Sequence, residues 1–133
     1  MGYDQNRDRR SYKVTQNDFG GGADTTLKVV GPAGKKGIVA GVYIDRVTET
    51  FVGTTTGGKV MVGLSGDTNA YFESDHTVMR GSAPAVGTPI NLADTLTGYN
   101  EIPADTTVFI TCVATVGGLV TGIADATVVI DWY

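Results

Sequence analysis

Apolar positions along this chain recur mostly at every second residue, in short runs separated by glycine-rich breaks. In TLKVV (Thr26–Val30) the alternation begins and is cut by GPAGKKG (Gly31–Gly37). GIVAGVYI follows, with Ile38, Ala40, Val42 and Ile44 expected on one face and Val39 and Tyr43 on the other, a strand covered on both sides. Beyond Ile44 the phase changes, since Val47 and Phe51 are the next apolar pair, as a bulge or a crossing between sheets requires. KVMVGL aligns Val60, Val62 and Leu64; TTVFITCVATV aligns Val108, Ile110, Cys112, Ala114 and Val116; the closing ATVVIDWY aligns Val128, Ile130 and Trp132, which makes core packing the reading for Trp132.

Helical spacing occurs only weakly, in INLADTLTGY, where Leu92 and Leu96 fit one turn. Nineteen glycines punctuate intervals filled by threonine and valine, the composition of many short strands. The chain is expected to be all-β, with seven or eight strands in a two-sheet, jelly-roll-like or immunoglobulin-like sandwich. Residues 1–23, ending in Gly20-Gly21-Gly22, read as an extended N-terminal arm outside a β-sandwich domain at residues 24–133.

A length of 133 residues suits one domain with a real core. No apolar run approaches the roughly 20 residues of a membrane-spanning helix, and no apolar segment follows the arginines of MGYDQNRDRRSYK, so neither membrane insertion nor secretory export is expected. Net charge is −4, but Arg7, Arg9, Arg10 and Lys13 outweigh Asp4 and Asp8, so the first thirteen residues carry +2 and the rest −6. A basic arm on an acidic body fits an extension laid over an anionic protein surface and argues against nucleic acid as the main ligand.

GPAGKKG invites a phosphate-loop reading. A Walker loop needs four residues before its Gly-Lys-Ser/Thr and a helix after it, whereas only Pro32 and Ala33 intervene here, Lys36 replaces the hydroxyl, and a strand follows. The stretch reads as a turn, with Pro32 fixing φ, Gly34 free to take positive φ, and Lys35 and Lys36 at an exposed tip. Asp67, Asn69, Glu73 and Asp75 offer oxygens for calcium but lack the EF-hand glycine and terminal glutamate, so a solvated loop is the default, with His76 beside it as a surface residue. One histidine and one cysteine exclude an intrachain disulfide and multi-Cys or His-rich metal sites, and no Gly-x-Ser-x-Gly is present. Cys112 reads as a small buried hydrophobe. No enzyme, no cofactor and no metal are expected.

The order of TLKVVGPAGKKGIVAGVYIDRVTETF, then KVMVGLSGD, then VVIDWY resembles small virion proteins of tailed bacteriophages, the head cement or decoration proteins of the capsid exterior; the likeness spans roughly residues 24 to 133. That resemblance implies a jelly-roll sandwich forming dimers or trimers at symmetry axes of the shell and clamping neighbouring major capsid protein subunits, assembled in the host cytoplasm, with no catalytic residues. Capsid contact is expected from the arm, at Tyr3, Arg7, Arg9, Arg10 and Tyr12, and from Lys35 and Lys36. On this reading deletion of residues 2–19 leaves the sandwich folded and weakens capsid binding. The alternative is a carbohydrate-binding jelly roll of a phage fibre or tail, using exposed aromatics such as Tyr71 or Tyr99.

Overall fold

The computed structural model describes residues 8–21, 23–56, 58–74, 90–92, 100–114 and 116–133. Eight strands follow in order: β1 (Asp8–Asp18), β2 (Thr25–Val30), β3 (Gly37–Thr56), β4 (Lys59–Leu64), β5 (Asp67–Glu73), β6 (Ile90–Asn91), β7 (Thr107–Val113) and β8 (Val116–Trp132). They form two antiparallel sheets, β1-β8-β3-β6 and β2-β7-β4-β5, packed as a β-sandwich. The pairing is nested: β1 pairs with β8, β2 with β7, β3 with β6 and β4 with β5. The chain thus runs out and back as one double strand, turned at Ser65-Gly66 and rolled so that β3 also meets β8 and β4 also meets β7.

Alternation does the sorting. Ala124, Ala126, Val128, Ile130 and Trp132 of β8 lie buried opposite Val108, Ile110 and Cys112 of β7 and Val60 and Val62 of β4, in one core with Val42, Ile44, Phe51 and Phe72. Trp132 is 1% exposed, as its spacing requires. Cys112 is a buried thiol pushed up to about 12, chiefly by desolvation and secondarily by the charge of Asp24.

The structure departs from the sequence reading in four places. Residues 8–18 are not an arm outside the sandwich: they form β1, paired from Asp8↔Trp132 to Asp18↔Ile123, and Phe19 behind them is fully buried against Phe51 with ring centroids 5.3 Å apart. An edge strand needs apolar residues only on its inner side, and Tyr12 and Val14 meet that need while the rest of DRRSYKVTQND stays polar. In β3 the register shifts between Val39 and Gly41, so Val39 is buried and Ile38 and Ala40 are half-buried. The phase change after Ile44 agrees with the sequence reading, with a shift between Asp45 and Glu49 that buries Val47 and Phe51.

TTVFITCVATV is not one strand: β7 ends at Val113, and Val116 starts the seventeen residues of β8. Leu64, expected beside Val60 and Val62, lies past a register shift, where a Cβ on Gly63 would strike the backbone of Asp67 and Thr68. Of INLADTLTGY, Ile90 and Asn91 form β6 and Leu92 is buried; residues 93–99, Leu96 among them, lie outside the described residues.

Candidate functional site

GPAGKKG connects β2 to β3 and closes over Trp132. A Cβ at Gly31 or Gly37 would stand 2.6 Å from the indole ring, so glycine at these positions is what lets the backbone lie on it. The indole Nε1 donates to the Tyr12 hydroxyl at 2.9 Å. Gly34 takes a φ of 75°, the conformation glycine alone adopts without strain.

Four successive amides of the turn are already committed. Gly34 N donates to Asp105 Oδ1 (2.9 Å), Lys35 N to Pro32 O (3.1 Å), Lys36 N to Tyr133 O (2.9 Å) and Gly37 N to Ile102 O (2.9 Å). A phosphate cradle requires such N–H groups to converge on an empty concavity. GPAGKKG is therefore a structural turn, and what it offers outward is lysine charge.

The residues singled out from the sequence separate onto different surfaces. Tyr3 and Arg7 lie outside the described residues. Arg9 sits on the outer face of the β1-β8-β3-β6 sheet, where its guanidinium grips both oxygens of Asp131 at 2.6 and 2.9 Å. Arg10, one residue on, points to the other side and pairs with Asp8 at 2.9 Å. Its hydrogen bonds hold the Asp8 carboxyl below the usual carboxylate range against the opposing effect of desolvation, helped by the charges of Arg10 and Lys35.

Tyr12 is half-buried and bound to Trp132. Lys36 Nζ lies 3.5 Å from Glu101 Oε1, and the Tyr133 hydroxyl donates to the other oxygen of Glu101, which lowers that carboxyl below its ordinary value. Asp8, Arg10, Lys35, Lys36, Glu101 and Tyr133 thus gather as a charged rim around the C-terminal end of β8. Arg9 lies on a separate face.

A second polar cluster escaped the sequence reading. Asp125, in mid-β8 and 1% exposed, accepts hydrogen bonds on Oδ1 from Gln16 N and Gln16 Nε2, both at 2.8 Å. Lys13 Nζ stands 3.6 Å and Arg46 Nε 3.9 Å from Oδ2, which receives no hydrogen bond. Gln16 also donates to Arg46 O and accepts from Thr48 Oγ1, while Asp45 accepts from Thr127. Gln16 and Arg46 hold φ of 45° and 46° beside the register shifts of β1 and β3, so two irregularities flank one carboxylate. Burial pushes the Asp125 carboxyl up, but the two Gln16 donors and the Lys13 and Arg46 charges outweigh it and hold the group below its ordinary value.

The sequence signal was an aspartate between Ala124 and Ala126 at an outward position of a strand; its partners lie 109 residues away at Gln16, where no local pattern points.

Of the calcium candidates, Asp67 and Asn69 are exposed on β5, Glu73 is bound by Lys59 at 2.8 Å, and Asp75 and His76 lie outside the described residues. Among the described residues no three His, Cys, Asp or Glu side chains converge as for a metal ion. Tyr71 is half-buried against the core and its hydroxyl titrates above the usual value because of that burial; Tyr99 lies outside the described residues. Comparison with protein-family models, curated proteins and solved structures returned no match to this chain.

Proposed function

We propose that this is a virion structural protein that binds the outside of a tailed-phage capsid as a homo-oligomer and cements neighbouring subunits of the major capsid protein. The single observation that carries the reading is the strand order: β1-β8-β3-β6 against β2-β7-β4-β5, with nested partners, supports the interleaved Greek keys of a jelly roll. That is the architecture implied by the likeness of TLKVVGPAGKKGIVAGVYIDRVTETF, KVMVGLSGD and VVIDWY to head decoration proteins. Cementing asks for a rigid body carrying a charged contact surface, and the rim of Asp8, Arg10, Lys35, Lys36 and Glu101 meets that requirement on strand ends and a turn clamped by four hydrogen bonds from its own amides. Many copies on a symmetric shell turn modest contacts at each site into a large stabilisation against internal DNA pressure.

The folding of residues 8–18 into β1 moves the contact surface. Arg9, Arg10 and Tyr12 act from the body of the sandwich. The test is sedimentation of the purified protein with expanded, undecorated phage heads, measuring copies bound and the temperature at which the shells break. Saturable binding in fixed ratio to capsid subunits, with a raised breaking temperature, is expected. Arg10→Glu together with Lys35→Glu and Lys36→Glu is expected to cut occupancy at least tenfold; wild-type occupancy in that variant moves the contact off the rim, and protein left in the supernatant ends the capsid reading.

A further inference from the structure

The strands that close the two sheets are not equally defended. β1 carries Asp8, Arg9, Arg10, Lys13 and Asp18 and a register shift between Val14 and Asn17. β6 is two residues long. β5 bears Asp67 and Glu73 and meets β4 with a register shift at Gly63. Charges, bulges and shortness are the usual devices that stop an edge from recruiting another strand. β2 is unbroken in register and carries one charge, Lys28.

Its six residues, TTLKVV, pair with β7 in unbroken register from Thr25↔Cys112 to Val30↔Thr107. Its sole charge, the exposed Lys28, lies over the Phe109 ring of β7, 5.3 Å from the centroid. Asp24, just before the strand, is likewise turned to β7, accepting from Ala114 N. Thr25, Thr26 and Val30 are exposed, Val30 by 55%, and Leu27 and Val29 are only half-buried against the core. Among the described residues no strand lies on the far side of β2.

We infer that β2 is the interface between two copies of this chain, pairing antiparallel with its own counterpart about a two-fold axis. A two-fold perpendicular to the sheet keeps inner residues opposite inner residues. Centred on Leu27, it sets Leu27 against Leu27 of the second copy, Thr25 against Val29, and Thr26 against Lys28. Each half-buried inner residue then meets a small or apolar neighbour, no like charges face each other, and the two four-stranded sheets become one of eight strands. In this register the exposed Lys28 of each copy faces Thr26 of the other, so a second copy of β2 is its own complement. The inference rests on the proposed function only for its oligomer, and it stands whether or not the protein binds capsids.

Sedimentation equilibrium of the full chain tests it. A single strand pair is a small interface, so a dimer dissociating on the order of tens of micromolar is expected. Thr26→Lys places lysine opposite Lys28 twice by symmetry and is expected to weaken the dimer roughly tenfold. Thr26→Glu faces the same Lys28 with an opposite charge and is expected to tighten it a few-fold. Adding Lys28→Thr to Thr26→Lys removes the like-charge pair and is expected to restore wild-type association. Both positions are exposed, so circular dichroism is expected to report an unchanged fold in each variant. A protein that stays monomeric up to about 1 mM, or a dimer indifferent to charge at Thr26, overturns the inference. A monomer that still saturates phage heads would overturn it while leaving the capsid reading in place.

Discussion

β1 and β2 are edges of opposite sheets that close the same side of the sandwich, yet they are built on contrary principles. β1 is polar, bulged and held by side chains: Arg9 to Asp131, Lys13 and Gln16 to Asp125, Tyr12 to Trp132. β2 is regular and nearly uncharged, held by its ladder to β7 and by the inner-side packing of Leu27 and Val29. An edge that carries many charges and a register shift is closed to further strands, because a kinked, charged backbone offers no regular ladder. The regular edge stays open. The two therefore divide the labour between completing the fold and meeting a neighbour.

The largest test of that division is removal of β1. Deleting residues 2–19 strips the strand that pairs along β8, takes the Gln16 donors from buried Asp125, and removes Phe19 from the face of Phe51. Loss of Phe19 alone costs about 3–5 kcal/mol, a large share of the stability of a domain this size. The truncated chain is expected to lose its cooperative thermal transition by calorimetry. A truncation that melts like the full chain would return residues 8–18 to the status of an arm.

Much of the fold was legible because it is local. Period-two alternation located the strands around Val42, Val60, Ile110 and Val128, and Pro32 with Gly34 marked the turn. β1 was hidden because an edge strand buries little: apart from Tyr12 and Val14 its residues are polar, the very composition that a solvated arm would have. Ala40 misled the phase of β3 because a register shift inserts one residue without any sequence mark beyond Gly41, and a Cβ there would strike Tyr43. The lysines of the turn were legible; the Asp125 cluster was not, since a buried carboxylate is defined by partners on two other strands, β1 and β3.

That cluster is the next largest effect. Asp125→Ala leaves the Gln16 backbone amide without its acceptor and the side-chain amide with Arg46 O alone, and is expected to cost about 2–3 kcal/mol by urea unfolding. Asp125→Asn keeps an acceptor and loses the charge, so a smaller cost is expected. The sign with pH follows from the lowered carboxyl: below the unfolded value of about 3.9 the unfolded chain binds the proton that the native chain resists. Stability from Asp125 is thus full above that value and is lost as pH falls through the native one. Lys13 stands between Asp125 and Asp45, 3.6 and 3.7 Å from an oxygen of each, and Arg46 lies 3.9 Å from Asp125. The stability difference between wild type and Asp125→Asn is expected to shrink from pH 6 to pH 3; a difference that is flat over this range assigns the cluster no electrostatic part.

The smallest effect concerns the point where both edges reach the same side chain. β1 meets Trp132 through a hydrogen bond to Tyr12, whereas the chain leaving β2 meets it through the bare backbone of Gly31. Tyr12→Phe keeps the ring and removes the acceptor, leaving the indole N–H of a side chain 1% exposed without its partner. An unsatisfied buried donor costs about 1–2 kcal/mol, partly relieved here because half-buried Tyr12 lies at an edge that water reaches. A loss near 1 kcal/mol is expected, with a change in tryptophan fluorescence and with dimerisation through β2 unaltered. If Tyr12→Phe changed self-association as much as stability, β1 and β2 would not be separable, and the polar edge would belong to the interface as well.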